Sequence, residues 1–176
     1  MFIPGIVISI VTFPGVIVHE LAHQLFCRWF KIPVFEVCYF RTQNPVGYVL
    51  HEPAKKTYQT VFISVGPFII NTLICFILGM SASLQFKFDS ANIIDYLLMY
   101  LAISIGMHAF PSTGDASSLW NGVMKSEESS WFSKAIVAPI VGFIYLGALG
   151  SFFWLDAIYS LAVSMGLPYI IIKLIA

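Results

Sequence analysis

Residues 16–26 read VIVHELAHQLF, two histidines and a glutamate inside an otherwise oily run. A charged side chain at the centre of a membrane helix costs about 2.5–3.5 kcal/mol on insertion scales, so something must offset it. A metal ion is the first candidate. On a helix, His19 and His23 are four residues apart and share one face, and the stretch fits H-E-x-x-H. Both imidazoles can then reach one Zn²⁺, while Glu20 can take a proton from a metal-bound water, whose pKa zinc lowers to about 7. The bland alternative is a pair of core histidines beside a glutamate by chance. It is disfavoured because such residues are rare in membrane spans and here meet at ligand spacing.

Composition agrees with a bilayer setting. The 176 residues are 59% hydrophobic and 10% charged, against about 25% charged in soluble domains, and the mean hydropathy is +0.86. The chain reads as an all-α polytopic integral membrane protein. Net charge is zero and no basic run points to nucleic acid. Cys27, Cys38 and Cys75 show no C-x-x-C spacing and read as free thiols. The first apolar stretch lacks a basic n-region and a following A-x-A-like site, so it is expected to remain as a spanning helix.

Runs long enough to span need about 20 residues. The candidates are Ile3–Phe30, Thr57–Met80, Asn92–Phe110 continuing past Pro111, Lys134–Phe153 and Ala157–Ile175, about five transmembrane helices in all. Arg28, Lys31, Arg41, Lys55, Lys56, Lys125, Lys134 and Lys173 then fall on one side and Lys87 alone on the other. The positive-inside rule puts the N-terminus outside and the C-terminus in the cytoplasm. Between the first two spans, residues 34–52 carry an alternating aromatic and β-branched run, turn chemistry in TQNPVG and a second short run at Tyr48–Leu50. This predicts a membrane-associated β-hairpin.

Catalytic zinc takes three protein ligands and leaves a fourth position for water. Cys27 continues the face of His19 and His23 but lies about 12 Å from His19 along the axis, beyond the reach of one ion. Depth chooses among the rest. His19 and His23 lie about 8–14 Å inward of Arg28, and Asp115 about 15 Å inward of Lys125 if the helix resumes after Pro111–Gly114. Asp115 is therefore the expected third ligand. His108 is the runner-up, otherwise a donor behind the ligands or a satisfied core histidine. His51, beside Pro53, reads as a surface residue.

HELAH, the hairpin, GPFIIN at 66–71 and Asp115 together resemble the site-2 protease family of intramembrane zinc metalloproteases. The resemblance covers about the first 120 residues. It implies a three-helix catalytic core with the hairpin at 34–52, here taken as residues 1–125, followed by two accessory transmembrane helices in 126–176. It also implies His19, His23 and Asp115 as zinc ligands, Glu20 as catalytic base, and Gly66, Pro67 and Asn71 as candidate substrate-positioning residues. Two departures stand out: the aspartate follows Thr113-Gly114 in place of an LDG-type order, and one extra residue separates Pro67 from Asn71.

The expected function is zinc-dependent hydrolysis of peptide bonds in or near transmembrane segments of membrane-protein substrates. The lipid bilayer is the other expected partner, and the expected location is a prokaryotic plasma membrane. The alternatives are a metal-ion transporter, which calls for polar residues along a whole path across the membrane, and a non-catalytic zinc-binding membrane protein.

Overall fold

Proline at position 14 decides how the chain enters the bundle. The computed structural model describes residues 5–125 and 129–175. Where a straight first span was expected over Ile3–Phe30, α1 (Gly5–Val11) and α2 (Phe13–Trp29) meet at 89°; Ile3 and Pro4 lie outside the described residues. Pro14 lacks the N–H that would bond the Ile10 carbonyl, and its ring crowds that carbonyl, so one helical ladder cannot run through. At the break, the Thr12 hydroxyl donates to the Ile8 carbonyl at 2.7 Å.

The hairpin forms as expected. Strands β1 (Val34–Cys38) and β2 (Tyr48–His51) pair antiparallel, with Val37 opposite Val49 and Cys38 opposite Tyr48. Arg41 shapes the turn, its N–H donating to the Val46 carbonyl at 2.7 Å and its Nε to the Pro45 carbonyl at 2.7 Å. The Tyr48 hydroxyl donates to the Glu36 carboxylate, which raises the pKa of that phenol. Tyr39 ties β1 to α2 through a 2.6 Å hydrogen bond to Gln24 Oε1.

Helix α3 (Thr57–Lys87) is longer than the expected Thr57–Met80 and carries Pro67 within it. It packs along both α2 and α4 (Ile93–Met107). Small residues allow the approach: a Cβ on Gly15 would collide with the Ser104 carbonyl oxygen, so α2 meets α4 at backbone distance. The helix expected to continue past Pro111 stops at Met107 and resumes as α5 (Thr113–Leu119), followed by a π-helical turn at Trp120–Met124. Helix α6 (Trp131–Ser151) seals this segment with a dry cluster of Leu119, Val123, Val137, Val141 and Ile144. Trp154, in a left-handed conformation, then starts α7 (Leu155–Leu161), which continues through a second π-helical turn into α8 (Leu167–Ile175).

The chain is mostly helical. Among the described residues, three stretches are long and apolar enough to cross a membrane: α3, α6 and Leu155–Ile175. The pair α1–α2 qualifies only as one bent unit, and α4 is short. The expected five thus becomes three by length and composition, because prolines interrupt the first and third apolar runs. The polarity of the bundle suits a lipid solvent. Asn71, Asp95, Ser104, Ser160 and Ser164 are buried, while Leu146, Leu149, Ile158 and Ile170 face outward.

Candidate metal centre

Three side chains converge from two elements. His19 and His23, one turn apart on α2, bring their Nε2 atoms to 3.2 Å of each other. Asp115, in the first turn of α5, places Oδ1 at 3.3 Å from His23 Nε2 and Oδ2 at 4.0 Å from His19 Nε2. Both histidines are buried and the aspartate is half-buried. Asp115 gets there because His108–Ser112 is not helical, which lets α5 restart at the depth of the histidines.

Hydrogen bonding fixes what each ring presents. His19 Nδ1 lies 2.7 Å from the His108 carbonyl, and His23 Nδ1 lies 2.8 Å from the Ile63 carbonyl. A carbonyl can only accept, so both Nδ1 atoms carry the proton and each neutral ring keeps a lone pair on Nε2. Two lone pairs therefore face each other beside a carboxylate, an arrangement that calls for a cation between them. Tetrahedral ligands at zinc bond lengths of about 2.0–2.2 Å lie about 3.3 Å apart. The separations of 3.2 and 3.3 Å match, and the other carboxylate oxygen of Asp115 lies 4.0 Å from His19 Nε2. The residues fit a metal ion, with two nitrogens, one oxygen and room for a further ligand.

Asp115 is itself held. Its Oδ2 accepts from the Ser112 N–H and the Ser112 hydroxyl, both at 2.7 Å, while Ser112 Oγ accepts from the Asp115 N–H at 3.2 Å. This reciprocal cap occupies Oδ2 and leaves Oδ1 toward His23. One carboxylate thus caps α5 through Oδ2 and faces His23 through Oδ1.

A cavity of about 830 Å³ opens onto the cluster. Glu20 lines it beside His19, and the hairpin turn lies over that carboxylate: a Cβ on Gly47 would sit 2.7 Å from Glu20 Cγ and 2.9 Å from Oε1. All four histidines of the chain line this one cavity. His51, read from sequence as a surface residue, contributes from the end of β2, with Nδ1 donating to the Glu52 carbonyl at 2.8 Å. Its place beside a proline hid it, since no local pattern says which way a hairpin folds back. The ring of His108 is engaged elsewhere, Nε2 lying 2.8 Å from Thr12 Oγ1, and it is the His108 carbonyl that meets His19.

The GPFIIN residues lie behind the cluster, in helix contacts. Gly66 packs on the Phe26 ring, Pro67 is fully buried, and buried Asn71 donates through Nδ2 to the His108 carbonyl at 2.9 Å. The same amide reaches the Ile105 and Gly15 carbonyls at 3.3 and 3.4 Å.

Fold and site together define a class: a mostly helical chain with helices able to cross a membrane, whose interior sets two histidines and an aspartate where a metal ion could be held. No family model, curated protein or solved structure matches the chain.

Proposed function

We propose that this chain is an intramembrane zinc metalloprotease that hydrolyses peptide bonds in or beside transmembrane segments of other membrane proteins. The observation that carries the reading is Glu20, a carboxylate set next to His19 in the same cavity as His19, His23 and Asp115 and covered by the hairpin turn. A zinc ion held there would supply polarisation of the scissile carbonyl and an acidified water. Glu20 would be the residue to accept a proton from the attacking water and return it to the leaving amine. The hairpin gives an extended substrate strand a partner for its backbone, since a helical peptide bond is already hydrogen-bonded and hidden from attack. Five spans, counting the bent α1–α2 and the interrupted α4–α5 as one each, with the N-terminus outside a prokaryotic plasma membrane, complete the proposal.

One observation favours a second reading, metal-ion transport: the cavity that holds the cluster is also lined by the polar side chains of Ser9, Ser151 and Asp156. A single experiment separates the two. Purified protein is analysed for metal, then incubated in detergent with a library of synthetic transmembrane peptides, alongside Glu20→Gln and His23→Ala. Proteolysis predicts peptide cleavage by the wild type, zinc without cleavage in Glu20→Gln, and loss of the metal in His23→Ala. Near-normal cleavage by Glu20→Gln would remove the catalytic assignment. Zinc uptake into protein-loaded liposomes without any cleavage would select transport.

A further inference from the structure

Helix α3 supplies no metal ligand, yet both imidazoles lean on it. In a regular helix the Ile63 carbonyl would accept from the N–H of the residue four positions on. That residue is Pro67, which has none. The vacated carbonyl is the one that accepts His23 Nδ1–H at 2.8 Å. One turn further along, Asn71 grips the other side of the site. The His108 carbonyl stands just past the end of α4, and it accepts both His19 Nδ1–H at 2.7 Å and Asn71 Nδ2–H at 2.9 Å. Two further carbonyls, of Ile105 and Gly15, hold the same amide group, so Asn71 is pinned from α2 and α4 at once. Its Oδ1 is buried with no hydrogen-bond partner among the described residues, so the amide is held through its nitrogen.

We propose that Pro67 and Asn71 are the positioning residues of the metal centre: Pro67 by withholding a helix donor so that Ile63 C=O can orient His23, and Asn71 by holding His108 C=O so that it can orient His19. This rests on the metal half of the proposed function and not on proteolysis. Each residue serves one imidazole, and the Nδ1–H tautomer it enforces turns the Nε2 lone pair toward the cluster. Histidine ligands held through their far nitrogen are more basic and keep their ring orientation, and loss of such support costs about 10–100-fold in metal affinity.

The test uses Pro67→Val, which keeps a similar volume and restores an N–H to compete for the Ile63 carbonyl, and Asn71→Leu, which removes the amide donors together with the orphaned oxygen. Imidazole ¹⁵N spectra of the metal-free protein report each tautomer, chelator competition with zinc reports affinity, and thermal unfolding reports the fold. The expected pattern is crossed. Pro67→Val releases the Nδ1–H tautomer of His23 and spares that of His19, while Asn71→Leu does the reverse. Each variant weakens zinc by about 10–100-fold with its Tm near that of the wild type.

Tautomers and zinc affinity unchanged in both variants would overturn the proposal. So would a loss of both tautomers together in step with Tm, the mark of a merely structural role. Should either variant fail to fold, the wild-type spectrum decides, since an Nε2–H tautomer at His19 or His23 in the metal-free protein is incompatible with the assignment. That measurement needs no metal, so a wild type that takes no zinc overturns the metal reading separately.

Discussion

Gly47→Ala tests whether the hairpin is part of the proposed catalytic machinery. No glycine among the described residues has a positive φ, so alanine meets no backbone strain at this position and its whole effect is steric. The added methyl carbon would stand 2.7 Å from Glu20 Cγ and 2.9 Å from Oε1, where ordinary contact begins at 3.4 Å. Either the turn lifts or the carboxylate retreats, by at least about 0.7 Å, and overpacking of this kind typically costs about 1–3 kcal/mol of stability. The Arg41 bonds to the Pro45 and Val46 carbonyls stiffen the turn and the Tyr39–Gln24 bond ties the hairpin to α2, so the movement falls largely on the Glu20 side chain. A misplacement of about 1 Å can cost about 100-fold in rate. The expected outcome is therefore a kcat lowered by about one to two orders of magnitude with zinc content unchanged, because His19, His23 and Asp115 are not touched. The assay is cleavage of a library peptide by wild type and variant, with metal analysis of both. Wild-type kcat in Gly47→Ala would refute the placement of the turn over the base, and loss of zinc would show that the turn supports the ligands instead.

Three further outcomes are expected. Asp115→Ala removes one of three ligands and should abolish stoichiometric zinc, while His108→Ala keeps the carbonyl that orients His19 and should retain it; the opposite ranking in metal analysis would sink the ligand set. Ser112→Ala takes one hydroxyl donor from Asp115 Oδ2 and leaves the Ser112 N–H in place, so zinc affinity should fall by about 10-fold, at the mild end for such supports, as read by chelator competition. A reporter fused after Lys56 or Lys125 should read cytoplasmic and one near Asp89 external, and an external signal at Lys56 would reverse the orientation and the depth argument built on it.

The cluster was legible in sequence to an unusual degree because its parts obey helical arithmetic. His19 and His23 are a local pair, and rise per residue carried Asp115 to their depth from Lys125 even though the intervening structure includes a π-helical turn. The alternation in residues 34–52 announced the hairpin for the same local reason. Less legible is the first helix, where length and apolarity predict one span over Ile3–Phe30 although Pro14 lies within it. The length and apolarity of the run hid the bend between α1 and α2.

What the sequence determined by itself is a membrane-type composition, the histidine row on α2, the aspartate that meets it and the glutamate between the two histidines. These follow from periodicity and from the cost of burying charge, both properties of the chain read residue by residue. What the tertiary structure decided is how those groups are held: Gly47 over Glu20, His51 turned into the cavity, Ser112 occupying one oxygen of Asp115, and two backbone carbonyls fixing the two imidazoles. The physical reason is that a hydrogen bond between residues 40 or 89 positions apart depends on where whole helices come to rest. No pattern along the chain records which carbonyl a break in a helix will leave free, nor which side chain will arrive to use it.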